Sequence, residues 1–490
     1  MNDIHLDNMN HVTRRQFFGT TASGVGMAAL ASLLKTENAR ADTTPGTASD
    51  ATGGLPGLPH FAARAKRVVL LWQGGGVPHT ELFDHKPILR EKVGEDIPAS
   101  VRGNTRLSTM SSGYQRYRCL PEQKPFKTYG RSGLKISEML PRTGDIADDI
   151  CLIRSMNTEA VNHAPGVTFF MTGAQVPGRP SMGSWLSYGL GSTTDNLPTF
   201  VVLTSHDKNK TCGQLFYDYY WGSGFFPSLF QGVRFRNSGD PVPYLLNPPG
   251  VSKAARRALL DEIATVNAAH LADYGDPEIN SRISQYEMAF QMQTSVPDLV
   301  DLSKESPETI ERYGPEALIR GRFANNCLIA RRLLERGVRF VQLMHPGWDL
   351  HSNLPTQLKN QCFDTDAPSA ALVEDLKERG MLDDTLVIWA TEFGRTPFAQ
   401  GNPNNPTGRD HFGRAFTWWM AGGGVKPGVV YGKTDDYGWN ITENPVHVHD
   451  MQATILHLCG IDHERLTFRY QGRQHRLTDV HGHVVDRIIS

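Results

Sequence analysis

The chain has 490 residues, with 50 Lys and Arg against 51 Asp and Glu, so its net charge of −1 provides no basic field to hold nucleic acid or an anionic membrane. Apolar residues make up 39%, and 47 glycines bring the total near that of a globular protein, which excludes disordered and fibrous classes. The six cysteines stand far apart with no C-x-x-C pair, which removes zinc-ribbon and thioredoxin readings.

The chain opens on an address. Thr13-Arg14-Arg15-Gln16-Phe17-Phe18 is a twin-arginine pattern, followed by a weakly apolar run over 19–34 and by Ala39-Arg40-Ala41, a small-x-small cleavage site before Asp42. Residues 1–41 are expected to be a signal peptide, 42–60 a flexible linker and 61–490 a single domain, and the exported chain is expected in the periplasm or outside the cell. The run at 19–34 is shorter than the roughly 20 residues that span a bilayer, and no later segment reaches that length without charges.

Continuous apolar runs at 66–72, 150–153, 199–203, 338–344, 385–390 and 416–420 read as strands buried on both faces of a parallel sheet. Helical patterns lie between them at 253–274, 277–293, 315–336 and 367–379. In the third, Phe323, Cys327, Ala330 and Leu334 share one helical face. This alternation predicts a doubly wound, mostly parallel α/β sheet flanked by helices, with ligands at the carboxyl ends of its strands. The Gly-, Pro- and aromatic-rich stretch 205–250 reads as an excursion that caps the site.

Polar clusters follow those strands. His345, Asp349 and His351 come after 338–344, Glu392 and Arg395 after 385–390, and Arg409 and His411 before 416–420. Imidazoles with carboxylates are ligand chemistry for a divalent metal such as zinc or manganese, and the strand ends of such a sheet converge on one crevice. The expected metal ligands are Asp349, His351, Glu392 and His411, with Arg395 and Arg409 clamping an anion. The glycines of Gly74-Gly75-Gly76 let backbone approach such an anion. Beyond them His79, Glu81 and Asp84 form a possible second site. His163, past the run at 150–153, is a candidate metal ligand, general acid or covalent nucleophile.

The segment Leu382-Asp383-Asp384-Thr385-Leu386-Val387-Ile388-Trp389-Ala390-Thr391-Glu392-Phe393-Gly394 resembles the strand of sulfatases and related alkaline-phosphatase-superfamily enzymes that ends in Ser-Asp-His-Gly, with Glu392 at the Asp and Phe393 at the His. His411 before Gly422-Gly423-Gly424 resembles that superfamily's last metal-binding His, and Asp450-Met451-Gln452-Ala453-Thr454 is similar to its carboxy-terminal helix. Asp349 and Asn353 stand as an Asp-x-x-x-His pair does in its phosphatases, with Asn in place of the His. His163 lies nine residues before Thr172 of Met171-Thr172-Gly173, at the sulfatase nucleophile position, with Pro165 at the motif's Pro and Val167 in place of its Arg. That substitution excludes formylglycine chemistry, as does the lack of Arg after Cys119-Leu120-Pro121.

With Gly178-Arg179-Pro180-Ser181 and Asn247-Pro248-Pro249-Gly250, the chain from about 60 to 487 most closely resembles family 1501 of the domains of unknown function. The resemblance implies a metal-dependent hydrolase acting on a small anionic ester or on a sulfated or phosphorylated polymer. The alternative is a non-catalytic surface or carbohydrate-binding protein that keeps the fold.

Overall fold

The computed structural model describes residues 53–209, 212–243, 245–402 and 405–490; the twin-arginine segment and most of the expected linker lie outside the described residues. All six apolar runs become strands of one nine-stranded sheet. In chain order they and their neighbours are β1 (Arg67–Gln73), β2 (Ile150–Asn157), β3 (Phe200–Thr204), β4 (Val233–Phe235), β5 (Phe340–His345), β6 (Thr385–Ala390), β7 (Phe416–Ala421), β8 (Val429–Tyr431) and β9 (Val446–His447). The order across the sheet is β8-β2-β7-β6-β1-β5-β3-β4, with β9 beside β2. Every pairing is parallel except the two made by β7, which runs against both β2 and β6.

Among the described residues, the helices of 9 residues or more are α1 (His163–Thr172), α2 (Met182–Leu190), α3 (Lys253–Tyr274), α4 (Pro277–Val300), α5 (Phe323–Glu335), α6 (Leu354–Glu378) and α7 (Val448–Leu458). The two-residue period of β1 sorts the core. Val69 and Leu71 face one side with Cys327 and Leu334 of α5 and Leu376 of α6. Val68, Leu70 and Trp72 face the other with Phe170 of α1, Trp185 of α2 and Ile455 of α7. Trp72 stacks on Phe170 at 4.8 Å between ring centroids. Two such layers leave both faces of the sheet dry, which is why its strands carry no polar alternation.

Two helix boundaries depart from the periodic pattern. Residues 315–322 are turns, so α5 begins at Phe323, and Gly321 sits at φ +78° just before it. In contrast α6 begins at Leu354, with Pro355 in its first turn, and Pro368 lies buried inside it, where it removes one backbone hydrogen bond instead of starting the helix. The 205–250 excursion contains three 3₁₀ turns and then returns to the sheet, because Val233–Phe235 pairs with Val201–Leu203 as the edge strand. The last part of the expected linker is tied down by Leu55 N–H to Gly189 O at 2.9 Å and His60 N–H to Gly460 O at 2.8 Å.

Leu71 lies in the central strand and is fully buried. Leu71→Ala is expected to destabilise the fold by about 2–5 kcal/mol, read from the midpoint of denaturant unfolding.

Candidate metal centre

The carboxyl ends of β2, β5 and β6 deliver the site. From β5 the chain turns through Gly347 to Asp349 and His351, and from β2 it reaches His163, the first residue of α1. His411 arrives differently. After β6, Gly394–Arg395 pairs antiparallel with His411–Phe412, and this short bridge carries the imidazole back over the strand ends. One ligand atom from each of His163, Asp349, His351 and His411 lies within 4.8 Å of all the others, a group that could hold a metal ion.

The geometry turns on Asp349 Oδ1. It lies 3.1 Å from His163 Nε2, 2.9 Å from His351 Nε2 and 3.5 Å from His411 Nε2. A tetrahedral ion with bonds of about 2.0–2.1 Å sets its ligand atoms roughly 3.3 Å apart, so these separations fit. Each imidazole is oriented from behind through Nδ1–H: His163 donates to Glu392 Oε1 at 2.7 Å, His351 to Gln400 Oε1 at 2.6 Å and His411 to Val161 O at 2.8 Å. With the protons on Nδ1, all three Nε2 lone pairs point inward. The His351 tautomer is fixed a second time, since Arg395 Nη1–H can only donate to its Nε2, at 3.3 Å.

Two observations test the fit to a cation. His351 Nε2 and His411 Nε2 stand 2.9 Å apart, two acceptors facing each other with no proton of their own to share. His163 Nε2 is buried without an aligned hydrogen-bond partner. A divalent ion satisfies all of these lone pairs at once.

The electrostatics agree with the crowding. Burial opposes charge on His163, yet the carboxylates of Asp349 and Glu392 outweigh it and raise the imidazole above its ordinary value. Burial, with help from the Arg395 charge, drives His411 down to about 4 despite Asp349. Burial would raise the Asp349 carboxyl, but its imidazole contacts and Arg395 hold it far below the usual carboxylate range.

Several expected residues do something else. Glu392 is not within the cluster; its Oε1 also accepts Gly75 N–H at 2.8 Å, so it braces the back of His163. The glycine loop gives its Gly75 N–H to that carboxylate and packs against the Asp349 backbone, where a Cβ on Gly75 would come within 2.5 Å of Asp349 N at φ +119°. Arg409 is fully buried and spends its donors on Glu81 Oε1, at 2.8 and 2.6 Å, and on the carbonyls of Thr396, Leu120 and Pro121. It clamps a buried carboxylate, so the expected anion clamp is corrected here. Arg395 likewise has its donors engaged, by Asp349, His351 and the carbonyls of Gly75, Gly76 and Arg409.

The possible second site dissolves in the same way. Glu81 belongs to Arg409, Asp84 to Lys86 and Thr434, and His79 to Gly438 O, and among the described residues these three form no metal-binding group. His345 bonds Ser205 Oγ and Gln361 Oε1, and burial pushes it down to about 3, so it stays neutral and apart from the cluster. The first turn of α1 offers an anion little, with Ala164 N–H given to Gln214 and Gly166 N–H to Asn162 O. Gln400 and Val161 escaped sequence reading because a single amide or backbone carbonyl carries no pattern.

Fold and cluster together define a doubly wound α/β protein with three imidazoles and one carboxylate gathered at its strand ends. Residues 65–489 match the family described as Protein of unknown function (DUF1501), and the chain belongs to that family. No curated protein matches its sequence. Among solved structures, one similar chain is an alkaline-phosphatase-superfamily protein from Vibrio parahaemolyticus, with 11% identity, 82% of this chain and 68% of that one covered, and a TM-score of 0.35. A sulfatase from Pseudoalteromonas sp. shows 11% identity over 82% of this chain and 69% of its own, with a TM-score of 0.33. The lipoteichoic acid synthase LtaP from Listeria monocytogenes shows 10% identity over 84% and 76%, with a TM-score of 0.34. Among the described residues no helix is long and apolar enough to cross a membrane.

Two outcomes follow from this geometry. Arg409→Ala leaves Glu81 as a bare charge in a dry pocket and is expected to cost about 3–5 kcal/mol of stability, measured by chemical denaturation. A cation must also displace the proton that His163 holds more tightly than an ordinary imidazole of pKa 6.5. Zinc affinity measured by calorimetry is therefore expected to fall with falling pH, starting above that value and approaching about tenfold per pH unit. An affinity that stays flat through this range removes His163 from the ligand set.

Proposed function

We propose that this chain is an exported, metal-dependent hydrolase of phosphate or sulfate esters, in which His163, Asp349, His351 and His411 hold one divalent cation, zinc or manganese. The observation that carries the reading is the set of inward Nε2 lone pairs around Asp349, each fixed by an acceptor at the opposite ring nitrogen. A bound divalent ion supplies Lewis-acid chemistry, polarising an ester oxygen and lowering the pKa of water toward about 7.

The protein residues supply position. Glu392 keeps the His163 ring in its tautomer and at its angle, and Gly75 N–H keeps Glu392 in place. Val161 and Gln400 do the same for His411 and His351. The side chains of Asp349 and His351, 20% and 23% exposed, form the face open to a substrate, while His163 and His411 close the floor. The substrate class is a small anionic ester or a sulfated or phosphorylated polymer, which suits a cationic centre at an open face. The twin-arginine pattern at Arg14-Arg15 supports export, which would put that substrate in the periplasm or outside the cell.

One observation favours a second reading, a surface or carbohydrate-binding protein that keeps the fold without the chemistry. Both arginines near the strand ends have their donors engaged already. Metal analysis of the purified protein, joined to turnover of an aryl phosphate and an aryl sulfate, separates the two. The hydrolase reading expects about one equivalent of metal, turnover abolished by chelator, and loss of both in Asp349→Ala/His411→Ala. Chelation should lower the unfolding temperature of the wild type and leave that of the double variant unchanged. Metal without turnover of either ester gives the second reading the field.

A further inference from the structure

We infer that Arg395 binds a tetrahedral oxyanion, and does so only when a cation fills the centre, so that cation and anion bind cooperatively. The inference rests on the metal reading above. Three of the guanidinium N–H groups are anchored on backbone carbonyls: Nε on Gly76 O at 3.1 Å, Nη1 on Arg409 O at 3.0 Å and Nη2 on Gly75 O. The other two face the cluster, Nη2 on Asp349 Oδ1 at 2.5 Å and Nη1 on His351 Nε2 at 3.3 Å. Those two acceptors are ligand atoms of the centre.

A cation takes the single lone pair of His351 Nε2 from Arg395 Nη1 and draws on Asp349 Oδ1, the partner of Nη2, while the other three donors stay anchored. The side chain has nowhere to withdraw, since it is fully buried and a Cβ on Gly76 would already lie 3.0 Å from its Nε. One N–H is then left without its acceptor and a second holds a weakened one, in a buried side chain beside a second positive charge, which is a costly arrangement. An oxyanion removes both costs. Its oxygens accept the planar fork of donors that a guanidinium presents, and its charge offsets the two cations. The face through which it arrives is open, because Asp349 and His351 are the partly exposed members of the cluster.

Before the cation binds, the same fork is occupied and the Asp349 carboxylate repels an anion. Arg409 shows the contrast: its partners are Glu81 and backbone carbonyls, none of which belongs to the cluster, so a cation releases nothing there. Sequence reading could name Arg395 as an anion clamp, but the requirement for prior cation binding emerges only from which atoms its donors occupy.

Coupling of this kind is reciprocal, so either ligand reports it. Zinc binding to the full chain is measured by calorimetry with and without inorganic phosphate, and in a separate arm with sulfate. At least one anion is expected to tighten zinc by about fivefold or more, and the arm that does so identifies the ester class. Phosphate or sulfate binding to the zinc-free chain is expected to be undetectable at the same concentrations. Arg395→Lys and Arg395→Gln are expected to keep zinc and lose most of the tightening.

Zinc affinity indifferent to both anions in the wild type overturns the inference and leaves the metal reading standing. Equal tightening in the wild type and a folded Arg395 variant also overturns it, since the anion then needs only the ion. Failure of zinc and manganese to bind at all overturns the metal reading, and this inference with it. If neither variant folds, equal anion affinity of wild type with and without zinc still overturns the proposal.

Discussion

A single carboxylate oxygen organises this molecule. Asp349 Oδ1 is approached by three imidazoles and a guanidinium, and each of those groups is held by a different part of the chain. An acceptor so crowded is stable because the Arg395 guanidinium stands against it and its imidazole neighbours favour its charged form. The surrounding structure keeps that balance. Gly75 allows the loop after β1 to press against the Asp349 backbone, and the carbonyls of that loop anchor Arg395.

The sheet explains how the parts meet. Parallel strands bring their carboxyl ends to one edge, which places His163, Asp349 and Glu392 together without any local sequence relation. The antiparallel β7 alone enters from that edge, so the segment leading into it can carry His411 across the top. Reversing one strand thus converts a row of strand ends into a closed cup. Glu81 and Arg409 form a buried pair in which both carboxylate oxygens and every guanidinium nitrogen have a hydrogen-bond partner.

How much of this could be read in advance depended on whether the signal was local. Strands buried on both faces announce themselves as unbroken apolar runs, and all six were visible. Asp349, His351 and His411 stood out because carboxylates and imidazoles clustered after such runs. Glu392 was misjudged as a ligand because sequence shows only that it ends β6; that its oxygen faces the far nitrogen of His163 is set by a contact across 229 residues. Arg409 was misjudged for the same reason, its partner Glu81 lying 328 residues away. The helix expected over 367–379 in fact runs from Leu354, because Pro368 is tolerated inside a long helix packed on the core.

Those long separations have a consequence for how the chain reaches its native state. The cup draws on β1, β2, β5, β6 and the entrance to β7, so none of its walls exists until strands from both halves of the sequence have paired. Contacts of such range form slowly, because the entropy of closing large loops is spent before they reward the chain. The centre therefore depends on the sheet being in place. An ion held there would cross-link segments that are distant in sequence, so its retention would mark a molecule whose sheet is finished.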